Sequence, residues 1–157
     1  NGTRIGLVAN PSSVDAEFTH AVDQVLAAGG VTLGAIFGPQ HGFHSTLQDN
    51  MIETPHAEDP TRRVPVYSLY SETREPTDDM LEGLDVLVVD LQDVGTRVYT
   101  FIYTMAYCLK AAARVGIPVI VCDRPNPIGG TTIEGPMLQP GYESFVGLYP
   151  IALRHGL

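Results

Sequence analysis

Basic residues are scarce in this sequence. Nine Lys and Arg stand against eighteen Asp and Glu, giving a formal net charge of −9. Nucleic-acid binding normally needs a basic face, so no nucleic-acid partner is expected. An anionic ligand would have to be held by a few placed arginines. Cysteine is scarcer still. Cys108 and Cys122 sit inside apolar runs, which reads as two buried, reduced thiols that reveal no compartment. No run approaches the ~20 apolar residues that span a bilayer; the best, Val98 to Leu109, is broken by Tyr and Thr and stops at Lys110. The usual nucleotide signatures are missing as well. The first strand leads into Ala9-Asn10-Pro11-Ser12-Ser13, with no G-x-G-x-x-G, and no G-x-x-x-x-G-K-[ST] occurs. NAD and ATP are therefore disfavoured and no cofactor is expected. Without a G-x-S-x-G elbow, an α/β-hydrolase is disfavoured too.

What is present is globular. The 157 residues are 44% hydrophobic and 17% charged, enough for one compact domain with a real core. The chain opens on Asn1 without an initiator Met and stops at His155-Gly156-Leu157. It reads as a piece of a longer protein, whose missing N-terminus could have held a targeting signal.

Strand and helix patterns alternate. Arg4 to Ala9 is a short apolar strand. Ala16 to Ala28, with Phe18, Val22, Val25 and Leu26 at helical spacing, predicts a helix that Gly29-Gly30 ends. Val31 to Phe37 is a second strand and Val66 to Leu69 a short third, separated by a long stretch, 38–64, of the kind that is usually functional or mobile. Thr77 caps a helical turn through Leu81. Leu84 to Leu91 has the continuous apolar run of a strand buried on both faces. Thr96 is placed to cap a helix from Val98 to Val115, ended by Gly116, and Ile117 to Cys122 is the next strand. The Pro- and Gly-rich tail from Arg124 to Pro140 is expected to be ordered but irregular. The alternation predicts an α/β fold, a Rossmann-like, doubly wound and mostly parallel sheet.

Ligands of such sheets bind outside the carboxyl ends of the strands. Those ends read Asn10-Pro11-Ser12, Pro39-Gln40-His41-Gly42, Asp90-Leu91-Gln92-Asp93 and Asp123-Arg124-Pro125-Asn126. Four polar clusters along one edge predict a cleft. Arg97 and Arg124 follow two of the clusters, where a guanidinium could clamp a carboxylate or pair internally with Asp93 and Asp123. Tyr99 and Tyr103 share a face at i, i+4 and are assigned to packing. Glu134 is a carboxylate in a stiff loop, functional or structural. His41, His44 and His56 with Asp49 match no metal-ligand spacing, so no metal site is assigned.

Several blocks together carry a resemblance: Gly38-Pro39-x-His41-Gly42-Phe43, Pro65-Val66-Tyr67-Ser68-Leu69-Tyr70, Asp90-Leu91-Gln92-Asp93-Val94-Gly95-Thr96-Arg97, Asp123-Arg124-Pro125-Asn126-Pro127-Ile128-Gly129-Gly130, Glu134-Gly135-Pro136 and Ser144-Phe145-Val146-Gly147. In this order they resemble the DUF1343 family, which includes exo-β-N-acetylmuramidases. The resemblance implies a Rossmann-like N-terminal domain over residues 1–157, a smaller C-terminal domain lying outside this chain, and a periplasmic or secreted setting. It also implies a glycoside hydrolase that removes N-acetylmuramic acid from peptidoglycan fragments. Their place near the cleft makes Gln40, His41, Asp93 and Glu134 the candidates for catalysis, with Asp49 and Glu53 as further carboxylates there. Asn10, Gln92, Arg97, Asp123, Arg124 and Asn126 become candidates for binding a sugar with a lactyl carboxylate. One departure matters. The family's block has a glutamate, its proposed acid, where this chain has Gln40, and an arginine where it has His44. An amide is no proton donor for glycosidic cleavage, so either Asp93 or Glu134 takes that work, or the chain is a carbohydrate-binding or regulatory homologue that kept the cleft and lost the acid.

Overall fold

The structure, a computed structural model, describes residues 2–47, 49 and 52–156. Asn1 and Leu157, the ends of the domain span read from the sequence, lie outside the described residues. The elements are β1 (Thr3–Ala9), α1 (Ala21–Ala27), β2 (Val31–Gly38), β3 (Ala57–Glu58), β4 (Pro65–Ser68), α2 (Asp78–Leu81), β5 (Val86–Asp90), α3 (Phe101–Val115), β6 (Val119–Val121), β7 (Glu134–Met137) and β8 (Ala152–Arg154).

Six strands form one sheet in the order β3-β4-β2-β1-β5-β6, and only the β3–β4 pair is antiparallel. The central strands are continuous apolar runs because helices and loops cover both faces. Successive residues of β1 show this. Val8 joins a cluster with Phe37, Leu87, Val89 and the α3 residues Cys108 and Ala111. Its neighbours Leu7 and Ala9 join the other, with Ile36, Val66 and Val22 of α1. Two helices on opposite faces of a parallel sheet make this a Rossmann-like α/β fold, as the alternation predicted.

Register aligns the strand ends. Ala9 faces Asp90 across β1 and β5, and Gly38 faces Ser68 across β2 and β4. The chain runs outward from β1 through β2 to β4, then returns to β5 on β1's other side. A crevice forms where a doubly wound sheet reverses in this way.

Several boundaries differ from the pattern-based ones. The first helix starts at Ala21, not Ala16. Asp15 Oδ1 accepts the N–H groups of Glu17 at 3.0 Å and Thr19 at 2.8 Å, closing a turn that puts Phe18 at φ 62 and exposes it. His20 then caps the helix: its Nδ1 accepts the Val22 N–H and its Nε2–H donates to the Asn10 carbonyl. The long helix starts at Phe101, so Thr100 rather than Thr96 holds its N-cap position, and Tyr99 precedes it. Gly116 ends it in a left-handed conformation at φ 79, which a glycine adopts without strain.

β6 is only three residues long and lies at the sheet's edge, so Cys122 is exposed, against the expectation of two buried thiols. Cys108 is buried, and desolvation pushes its thiol up to about 12. The tail is more regular than expected. β7 pairs antiparallel with β8, and β8 in turn bridges to Thr96. The Arg97 and His155 N–H groups donate to Leu153 and Gly95 carbonyls, laying this small sheet against the loop that leaves β5.

Candidate active site

The loop after β2 doubles back sharply. The Gly42 N–H donates to the Pro39 carbonyl, and His41 and Gly42 both take positive φ, at 72° and 79°. Gly38 must be glycine for this return, since a Cβ there would lie 2.4 Å from the Phe43 nitrogen. The turn delivers Gln40 toward α3, where the Thr100 hydroxyl donates to Gln40 Oε1 at 2.8 Å. Thr100 is itself fixed, its carbonyl accepting the N–H groups of Tyr103 and Thr104. With its oxygen held this way, the Gln40 amide presents N–H donors rather than an acid. His41 turns aside: its Nδ1–H donates to the Leu47 carbonyl at 2.9 Å. Its ring lines a separate cavity of about 170 Å³ with Phe43, His44 and Tyr67.

A cavity of about 190 Å³ opens beside the N-terminus of α3. Leu91, Phe101, Ile102, Met105 and Val121 give it apolar walls, and Asp93, Asp123 and Arg124 rim it. Asp93 is the most enclosed of the candidate acids, its side chain 18% exposed. Its Oδ2 accepts the Gly95 N–H at 2.9 Å and lies 3.8 Å from His155 Nδ1. Its Oδ1 is buried and meets no donor among the described residues, an arrangement that native proteins rarely leave without a purpose. Two phenols feel this carboxylate. Burial first, and the Asp93 charge second, push Tyr99 upward. Burial dominates at Tyr103, against the pull of the Leu148 backbone and Arg97, and its hydroxyl donates to the Arg97 carbonyl at 2.6 Å. Both phenols therefore stay neutral beside the acid.

The remaining candidates divide by what they already hold. Arg124 does not pair with Asp123. Its Nε and Nη2 donate to the two oxygens of Asp90 at 2.5 and 2.8 Å, and its Nη1 donates to the Val14 carbonyl. That two-point pair raises the guanidinium further, against desolvation. Arg97 does not pair with Asp93. Its Nη1 donates to the Pro136 and Ile151 carbonyls at 2.7 and 2.8 Å, pinning the small sheet. Gln92 Nε2 donates to the Asp93 and Pro125 carbonyls, tying the loops after β5 and β6 together. Asn10 Oδ1 accepts from Ser12 N–H and Oγ–H, shaping the β1 exit. Asn126 Oδ1 accepts the Ile128 N–H, and its side chain fills the space where a Gly95 Cβ would sit. Glu134 stands apart, 60% exposed on β7 and paired with Arg154 at 2.6 Å.

Asp93, Asp123 and Arg124 thus line the cavity beside the start of α3, Gln40 meets the N-cap residue of that helix from the β2 loop, and His41 and Glu134 point elsewhere. Pattern reading missed Thr100, because the helix was started too early. It also missed His155 beside Asp93, because no strand was read at Ala152–Arg154 to bring it there. Among the described residues no group of three or more His, Cys, Asp or Glu is arranged to hold a metal. His56 Nδ1 accepts the Ser68 N–H, and His44 lies edge-on to Phe43.

Comparisons with known proteins agree on one kinship. The family model described as "Exo-beta-N-acetylmuramidase NamZ, N-terminal" matches residues 5–157. The chain is 51% identical, over 156 residues, to the Bacillus subtilis (strain 168) protein named peptidoglycan beta-N-acetylmuramidase NamZ, covering 99% of this chain and 37% of that one. Crystal structures of two DUF1343 family proteins from Bacteroides fragilis superpose on it. One has a TM-score of 0.89 at 43% identity, covering all of this chain and 39% of its own; the other has 0.79 at 33%, covering 98% and 38%. The chain therefore spans well under half the length of these relatives.

Proposed function

Since the chain belongs to the exo-beta-N-acetylmuramidase NamZ N-terminal family, we propose that it forms the N-terminal domain of a glycoside hydrolase acting on N-acetylmuramic acid in peptidoglycan fragments. The remaining length of the protein supplies a second domain. The observation that carries this reading is the 51% identity across 99% of the chain to a protein named as such an enzyme. The enclosed carboxyl of Asp93, in a cavity beside β5, β6 and the start of α3, supports it.

Glycosidic cleavage needs a carboxyl group to protonate the leaving oxygen, and a 2-acetamido sugar can use its own amide as nucleophile. Asp93 is assigned as that acid. Glu134 is the weaker candidate, being exposed and already paired with Arg154. Gln40, held by Thr100, donates to an oxygen of the bound sugar and orients it. Neutral Tyr99 lies close enough to Asp93 to share its field. Leu91, Phe101 and Met105 give the cavity apolar walls, and a sugar seated against them displaces water and strengthens each polar contact made there.

The test is release from a chromogenic N-acetylmuramide by the full-length protein, by Asp93→Asn and by Gln40→Glu. The wild type should turn over, and Asp93→Asn should lose about 10²- to 10⁴-fold in kcat, the usual contribution of a general acid. Full activity in Asp93→Asn would remove Asp93 from the chemistry. If only Gln40→Glu turns over, the natural protein is a sugar-binding homologue instead.

A further inference from the structure

β6 leaves the sheet with an open edge. Ile120 and Val121 are 54% and 45% exposed, while the residues of β5 beside them are buried or half-buried. The Cys122 N–H donates inward to the Val89 carbonyl at 2.8 Å, and the Pro118 carbonyl accepts the Leu87 N–H at 3.0 Å. By strand alternation, the N–H groups of Val119 and Val121 point away from β5, along the free edge.

Native sheets blunt such edges with charge, bulges or very short strands. The opposite edge of this sheet obeys that rule: β3 is two residues long, runs antiparallel and carries Glu58. The β6 edge is short as well, at three residues, but carries no other guard. Ile117-Pro118-Val119-Ile120-Val121-Cys122 offers no charge, and its only proline precedes the strand. The apolar cavity beside it is walled by Val121 and Cys122 on one side and by Phe101, Ile102 and Met105 of α3 on the other. A parallel strand added to such an edge must be reached through a crossover of a dozen residues or more, usually a helix. The relatives have that length to give, since this chain covers only 37–39% of them.

We propose that the sheet continues past β6. A strand from the part of the full-length protein beyond residue 157 pairs with the free edge of β6, and its crossover packs over the groove between α3 and β6. The Rossmann-like domain then extends beyond the boundary read from the sequence, and the cavity holding Asp93 gains its outer wall from that segment. The alternative occupant, a second copy paired edge to edge, is distinguished by the same experiment. The proposal stands whether or not the protein cleaves a glycan.

The test uses the full-length protein. Amide exchange with single-residue fragmentation should find Val119 and Val121 slowed by about a hundredfold or more over unprotected amides, independent of protein concentration. A benzoylphenylalanine photo-crosslinker placed at Ile120 should join to residues beyond 157 of the same chain. Fast exchange at both amides overturns the proposal. So does protection that rises only with a dimer population, or crosslinking confined to residues 1–157 or running between two chains.

Discussion

At Arg124 the guanidinium's reach is already committed: two oxygens of Asp90 and the Val14 carbonyl hold its three nitrogens. Asp90 closes β5, and Val14 belongs to the exit from β1, so this one side chain ties the two strands that flank the crevice. Its side chain is 23% exposed and that of Asp90 8%. Breaking a largely buried pair from one side leaves the other charge stranded, a loss of about 3 kcal/mol or more. Arg124→Ala should therefore lower the urea midpoint of the full-length protein. It should also weaken N-acetylmuramic acid and N-acetylglucosamine by the same factor, measured by titration with each sugar. A loss confined to the lactyl-bearing sugar would show that Arg124 abandons Asp90 for the ligand and acts as the clamp that its sequence position first suggested.

Among the elements, the β3–β4 hairpin has the clearest chemical fastening. Asp59 Oδ1 accepts the Thr61 and Arg62 N–H groups, its Oδ2 accepts Arg62 Nη1 at 2.9 Å, and Arg62 Nη2 reaches Asp23 in the first turn of α1. Burial would raise the Asp59 carboxyl, but the hydrogen bonds from Arg62 and Thr61 outweigh it and hold the group below its ordinary 3.8. A carboxyl depressed by folding stabilises the fold above its unfolded value, and that contribution drains away as pH falls through the folded one. The wild type should thus outlast Asp59→Asn in urea at about pH 6, with the gap closing toward about pH 2.5. A gap unchanged across that range would show that the charge of Asp59 does not fasten the hairpin.

The same elements show what a sequence makes legible. β1, β2 and β5 were plain because strands buried on both faces must be apolar at every position. α3 ended where Gly116 demanded a left-handed residue. Their shared edge followed from parallel topology, and the loops that carry Gln40 and Asp93 leave from it. The start of α1 was hidden because Asp15 and His20 form a local turn that outcompetes a helical repeat. β7 was hidden because its residues are exposed throughout, and Gly135-Pro136 inside it looks like loop chemistry. Which carboxylate Arg124 takes is a matter of register: Asp90 lies 34 residues away and across a strand pair, and no local spacing points to it over Asp123.

For the molecule as a whole, exposed apolar side chains among the described residues include two extended groups. One is the β6 edge. The other runs along the small sheet and its loops, where Ile133, Met137, Tyr142 and Val146 are exposed. The tail is nonetheless anchored, since Phe145 packs on Tyr70 at 5.5 Å and the Arg74 guanidinium lies 3.9 Å over the Tyr70 ring. A fixed, exposed apolar surface differs from a frayed end: it is shaped to meet a partner, and extended patches of this kind on a monomer mark missing contacts. If the rest of the protein supplies those contacts, a chain limited to these 157 residues should keep its helical and strand circular dichroism yet bind the dye ANS. It should also associate as its concentration rises, while the full-length protein does neither. Ile133→Ser combined with Val146→Ser should reduce the association without altering the circular dichroism, because neither side chain belongs to the two core clusters. Sedimentation of the three proteins side by side provides the measurement. A well-folded 157-residue chain that stays monomeric and dark to the dye would mean that these surfaces need no partner, and the case for a second domain docked there would fall.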